Sequence, residues 1–253
     1  MLNPEYYIAM NARDILDSLR EDADLVSSEI RDWWLHYLFY HFDRYLDTLS
    51  VLSGCGLKGK ILDVGCVPGH FTVLLKRLGC DVVGVDINPD RCSKFFEKHG
   101  VEVKRVDVEV EPLPFPDGCF DTVLFLEMIE HLRINPLFAL REIHRVLKPN
   151  GTMILTTPNI TLTKRIRAFL GKSWQGNPAA EFSKLEKIGH MGHIRLYTLQ
   201  EIKELLECTG FKIQKCHYIG KKKGGWKSKI LYLLFPSEKA FRPYICIISK
   251  NEA

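Results

Sequence analysis

No apolar run in this chain approaches the roughly 18 residues needed to cross a bilayer; the nearest, residues 230–235, has the length of a strand or short helix. Residues 1–17 carry acids and no apolar core, so they do not read as a secretory signal. None of the eight cysteines (55, 66, 80, 92, 119, 208, 216 and 246) makes a C-x-x-C pair. Several of them fall inside apolar segments, which points to buried thiols in a reducing cytoplasm and away from disulfides or zinc. Internal repeats and low-complexity tracts are also missing. What remains is ordinary globular composition, 46% hydrophobic and 26% charged over 253 residues. That is enough for one α/β domain with embellishments, and nothing demands a second core.

The net charge of +4 conceals an asymmetry. Residues 1–158 hold 17 cationic against 24 acidic side chains, a net of −7, and residues 159–253 hold 18 against 7, a net of +11. A basic C-terminal third suggests an acidic partner there, a phosphate, a lipid surface or RNA; a well-solvated lysine-rich surface is the plainer reading. Lys221, Lys222, Lys223 and Trp226, with the 230–235 run, are the features a membrane surface would use.

Three zones follow one another. Residues 1–58 lack strand alternation and read as an N-terminal helical cap, with Ser27 or Ser28 placed to cap a helix through Ile30, Trp34, Leu38, Phe42 and Leu49. Its dense aromatics are either core packing or a lid over a ligand. From 59 the pattern alternates strand and helix, with strands at 61–64, 81–86, 101–106, 120–126 and 152–157, which predicts a parallel sheet with right-handed crossovers. Residues 159–197 form a lid-like insertion. Thr198-x-x-Glu201 then opens a helix as a capping box, and strands at 211–219 and 242–249 complete the sheet.

The densest signal is Ile61-Leu-Asp63-Val-Gly65-Cys66-Val67-Pro-Gly69-His70-Phe71: a strand ending in an acid, a turn with two glycines, then a helix. A second strand ends at Asp86. The turn lacks the Gly-Lys-Ser/Thr of a phosphate loop and the third glycine of a dinucleotide fingerprint. Asp63 would repel a pyrophosphate and favour a ligand with a positive amino group.

Asp63-Val-Gly65-Cys-Val67-Pro-Gly69 resembles the first motif, D-x-G-x-G-x-G, of the class I S-adenosylmethionine-dependent methyltransferases (a methyltransferase type 11/type 23-like domain). The likeness covers about 60–158 and resumes at 193–249. It implies a Rossmann-like, seven-stranded, mostly parallel sheet with an antiparallel last strand and helices on both faces. It also implies S-adenosylmethionine held by Asp63, Gly65, Cys66, Gly69, His70 and Phe71, with Asp86 and Ile87 at the ribose, Asp107 and Val108 at the adenine, and Glu127 after the fourth strand. Val67 departs from the pattern. A positive φ there would strain a β-branched residue by about 1–3 kcal/mol, and a close approach of ligand would crowd it.

Glu127-Met-Ile-Glu130-His131 resembles the E-x-x-E-H pattern of metal-dependent O-methyltransferases of small-RNA ends and quinone precursors. If the segment is helical, Glu127 and Glu130 or His131 share a face, and with His193 they would suit a divalent metal. Without a metal, His131, His190 and His193 are the candidate bases, since a neutral imidazole accepts a hydroxyl proton near pH 7. The reading is a cytoplasmic enzyme that O-methylates a small molecule or saccharide. Its rivals are a metal-dependent RNA 2′-O-methyltransferase and a non-catalytic binding protein of the same fold. The oligomeric state is not legible.

Overall fold

In the computed structural model, residues 4–56, 59–173, 177, 179, 183, 192–221, 232–233 and 237–252 are described. A seven-stranded sheet runs in the order β3-β2-β1-β4-β5-β7-β6. Its strands are β1 (Lys60–Val64), β2 (Asp81–Asp86), β3 (Glu102–Arg105), β4 (Phe120–Leu126), β5 (Leu147–Pro158), β6 (Phe211–Ile219) and β7 (Tyr244–Asn251). β1 to β5 pair in parallel, and β7 runs antiparallel between β5 and β6. The chain reverses its outward direction beside β1, between β2 and β4. In open α/β sheets that reversal opens a crevice at the carboxyl ends of the strands.

The two sheet faces are covered differently. On one, α5 (Pro136–Val146) and α7 (Leu199–Glu207) pack on Leu62, Val83, Phe125 and Ile247. Asn135 Oδ1 caps α5 by accepting from Leu137 N at 3.0 Å. α7 carries the complete capping box of Thr198 and Glu201.

On the other face, α3 (His70–Arg77) and α4 (Ser93–Lys98) share one apolar cluster with the N-terminal segment. That segment is α1 (Pro4–Ser18), a 3-10 turn Leu19–Leu25, and the long α2 (Arg31–Gly54). Trp34, Leu38, Tyr45, Leu49 and Leu52 bury the inner face of α2, so its aromatic stripe is mainly core, while Phe39 and Tyr40 face solvent. The cap and the sheet domain therefore share a hydrophobic core.

Two local expectations change. α2 starts at Arg31 with no side-chain cap: Ser27 lies in an extended turn, its amide donates to Arg91 O at 2.9 Å, and its hydroxyl is buried without a partner. The predicted helix after β2 divides into a 3-10 turn, Pro89–Cys92, and the short α4. Of the insertion, α6 (Leu162–Phe169) is described and buries no residue fully. α8 (Glu238–Phe241) precedes β7.

Candidate active site

The glycine turn hangs at the end of β1, and its two glycines are what bends it. Gly65 has φ 75° and Gly69 φ 90°, a region L side chains avoid. A β-carbon on Gly65 would collide with Met128 Sδ, and one on Gly69 would lie 2.7 Å from the Phe96 ring. Val67 has no positive φ, so the expected strain is absent. Its side chain packs instead on the apolar cluster shared with the cap. The departure from glycine is thus matched by the cap that covers it.

Acids line the carboxyl ends of the neighbouring strands. Asp63 is buried and accepts from the Thr72 hydroxyl at 2.6 Å; burial, opposed by that bond and reinforced by Asp86, raises its carboxyl to about 6. Asp86, after β2, accepts the Val67 amide on Oδ2 at 3.0 Å and the Asn88 amide on Oδ1 at 2.9 Å. Each oxygen keeps a lone pair, the valence needed to receive two ribose hydroxyls. Ile87 beside it is exposed. Asp107, after β3, turns the chain by accepting from Glu109 N at 3.1 Å, and Val108 is buried in the core.

Three other predicted contacts point inward. Cys66 is buried with its sulfur against Gly84 of β2. His70 is fully buried, its ring 4.2 Å from that of Trp34, and desolvation lowers its pKa to about 3. Phe71 stacks on Tyr45 at 5.7 Å. These three residues shape the turn from beneath.

Glu127 follows β4 at φ 56°, a conformation that costs a non-glycine residue about 1–3 kcal/mol. The expected helical face does not form: β4 ends at Leu126, and only a 3-10 turn, Ile129–His131, follows. Glu127 instead pairs with Arg44 of α2 at 2.9 Å, both buried. Arg44 also donates to the Tyr37 hydroxyl at 3.1 Å, and its guanidinium lies 5.3–5.6 Å from the rings of Tyr37, Tyr45 and Tyr244. Sequence reasoning missed Arg44. The signal was a cation on an otherwise aromatic flank of α2 formed by Tyr37, His41 and Arg44.

Glu130, His131 and His193 do come together, with one potential ligand atom from each within 4.8 Å of the others. Glu127 is outside this group. Glu130 is fully buried; Thr157 donates to its Oε2 at 3.0 Å, while Oε1 has no hydrogen bond. Desolvation, with Glu127 adding to it, pushes the Glu130 carboxyl well above the usual range. His131 Nδ1 donates to Gly192 O at 3.2 Å, which fixes the orientation of the ring. Glu130 Oε1 lies 4.0 Å from His131 Nε2 and 3.9 Å from His193 Nε2. Donors around a tetrahedral ion with ~2 Å bonds sit about 3.3 Å apart, so these three residues could hold a divalent ion only by drawing closer together. The insertion reaches this point because Ile194 N and Arg195 N both donate to Glu130 O, at 2.8 and 3.3 Å. His190 lies outside the described residues, as do Lys222, Lys223, Trp226 and most of the 230–235 run.

A seven-stranded sheet with this order, a glycine turn after β1 and acids after β1, β2, β3 and β4 defines the Rossmann-like methyltransferase class. The family model described as "Methyltransferase domain" (Methyltransf_23) matches residues 34–215, and the chain belongs to that family. It is 34% identical over 140 residues to the ubiquinone biosynthesis O-methyltransferase of Azorhizobium caulinodans, covering 54% of this chain and 53% of that protein. With the protein of the same name from Ruegeria pomeroyi it is 35% identical, covering 51% and 52%. The chain thus spans about half the length of these curated relatives. A SAM-dependent methyltransferase structure from Archaeoglobus fulgidus shares the fold at TM-score 0.57 and 21% identity, over 85% of this chain and 99% of that one. Among the described residues, no helix is long and apolar enough to cross a membrane.

Proposed function

We propose that this protein transfers the methyl group of S-adenosylmethionine to a hydroxyl oxygen of a small molecule or saccharide, in the cytoplasm. The observation that carries this reading is the convergence of Gly65–Gly69, Asp86, Asp107 and the Glu130–His131–His193 group on one edge of the sheet. The curated relatives are named as O-methyltransferases, which favours oxygen as the acceptor atom. The donor would lie over the glycine turn, with its ribose on Asp86, its adenine by Asp107 and Val108, and its methionine end near Asp63 and Glu127. The acceptor oxygen attacks the sulfonium methyl: a C–O bond forms, the C–S bond breaks, and S-adenosylhomocysteine leaves. Most of the catalysis is in-line positioning. His131, its ring oriented by the Nδ1–H bond to the Gly192 carbonyl, is the base that takes the hydroxyl proton.

Calorimetric titration with S-adenosylmethionine tests the donor site, and the absence of binding at millimolar ligand would overturn it. A screen of phenols, catechols and sugars for S-adenosylhomocysteine release then finds the acceptor. A second reading adds a divalent metal at Glu130, His131 and His193, which would lower the acceptor hydroxyl's pKa. Turnover that survives EDTA and exhaustive dialysis excludes it. In the basic C-terminal third, α6 bears Lys164, Arg165 and Arg167 beside exposed Phe169, a surface suited to an acidic partner such as an anionic lipid headgroup or RNA. Flotation on phosphatidylglycerol vesicles and a salt-titrated RNA gel shift distinguish the two.

A further inference from the structure

We propose that Trp34 of the N-terminal cap is a positioning residue for the methyl donor, acting through the carbonyl of Pro68. The inference rests on the donor reading above and concerns what holds the glycine turn in its binding shape. Most of the turn's polar groups are tied to β1 and β2 or to the turn itself. The amides of Gly65 and Cys66 donate to Val85 O at 2.8 and 3.2 Å, the amide of Gly69 to Cys66 O at 2.7 Å, and the amide of Val67 to Asp86 Oδ2. Pro68 has no N–H to give, and its carbonyl is held from outside by Trp34 Nε1, at 2.9 Å and fully buried. The turn is therefore strapped on one side by the sheet and on the other by a helix 34 residues earlier.

Trp34 is anchored well enough to serve as a strap. Its indole has no exposed surface, lies on the His70 ring and meets Phe95 edge-on at 5.1 Å. The same strap reaches Asp86 indirectly. The Val67 amide that orients this carboxylate belongs to the residue just before Pro68, so movement of the Pro68 carbonyl would release the group that faces the ribose. Where related turns carry glycine, this chain has Val67-Pro68, and the cap contact at Pro68 is the counterpart of that change. The cap then contributes to donor affinity without touching the donor.

The test compares Trp34→Phe, which keeps an aromatic ring at the position and loses the N–H, with Leu38→Val, a buried substitution one turn along the same helix. S-adenosylmethionine affinity is measured by calorimetry and ligand-free stability by thermal unfolding. Losing the strap predicts a five- to tenfold weaker donor Kd in Trp34→Phe, and an unchanged Kd in Leu38→Val at comparable loss of melting temperature. Equal Kd for Trp34→Phe and the unchanged protein would overturn the proposal, as would equal weakening by both variants, since that is what general loosening of the cap produces. Failure of the unchanged protein to bind the donor would count against the donor reading itself.

Discussion

The proposed donor side and the proposed acceptor side of this site are built by different means. On the donor side, each predicted contact lies within a few residues of a strand end: the turn after β1, Asp86 after β2, Asp107 after β3. On the acceptor side, and at Glu127 where the donor's methionine end would lie, the decisive contacts join distant parts of the chain. Arg44 meets Glu127 across 83 positions, and His131 meets His193 and Gly192 across about 60. A local geometry can be written into a short motif, whereas a juxtaposition of distant segments cannot. The donor side is therefore the more legible of the two in sequence.

The sharpest way to break the contrast is to cut its longest bridge. Arg44→Met leaves Glu127 buried without its cation, and removing one partner of a buried pair costs about 3–5 kcal/mol. Denaturant unfolding should show that loss, and Arg44→Met combined with Glu127→Gln should recover most of it, because no charge is then stranded. If the single variant unfolds like the unchanged protein, the cap and the sheet are not joined by this pair.

The buried donor-side acid gives a smaller and pH-dependent effect. Asp63 is held at about 6 in the folded protein against ~3.9 unfolded, so the folded state binds its proton more tightly. Its contribution to stability is present below pH 4 and is lost as pH rises through 6, about 3 kcal/mol in all at pH 7–8. Asp63→Asn, which still accepts from Thr72, should stabilise the protein at pH 8 and do little at pH 4, while weakening donor binding. Equal melting shifts at both pH values would show that Asp63 is not the strained group. A protein that keeps an ionised acid buried here is trading stability for its ligand.

The sequence made these two sides unequally legible for physical reasons. The alternation of strands and helices and the Thr198 capping box follow from residue pattern and local side-chain chemistry, while the antiparallel last strand is implied by the family resemblance. Val67 looked like strain because it stands where the motif carries glycine, but its φ is not positive and its side chain packs on the apolar cluster. Ser27 looked like a helix cap because residue type was the only guide, yet its amide is engaged with Arg91. Cys66 and His70 sit in the motif but face the core, since a turn residue's side-chain direction depends on what packs beneath it. Glu127 was read on a helix face that a positive φ does not allow. Arg44 and Trp34 were invisible as site residues because their partners lie in other elements.

Gly65→Ala probes the donor side where it is most local. The left-handed φ and the contact with Met128 cost about 1–3 kcal/mol, and S-adenosylmethionine affinity should fall by at least tenfold, read by calorimetry. An unchanged Kd would mean the turn's shape is not what the donor reads.

The smallest effect should come from the acceptor side, at the point where the insertion rejoins the fold. Thr198 accepts from Glu201 N at 3.2 Å and donates to Glu201 Oε2, while Glu201 also pairs with Arg195, next to the residues that dock on Glu130. Thr198→Ala removes one half of the capping box and should cost about 1 kcal/mol, seen as a modest fall in melting temperature. Donor affinity should be unchanged, because the hydrogen bonds that shape the glycine turn come from β1, β2 and α2 rather than from this segment. Acceptor KM should rise, because the segment bearing His193 is anchored less firmly beside His131. A donor Kd that moved with it would mean that the two sides are mechanically one.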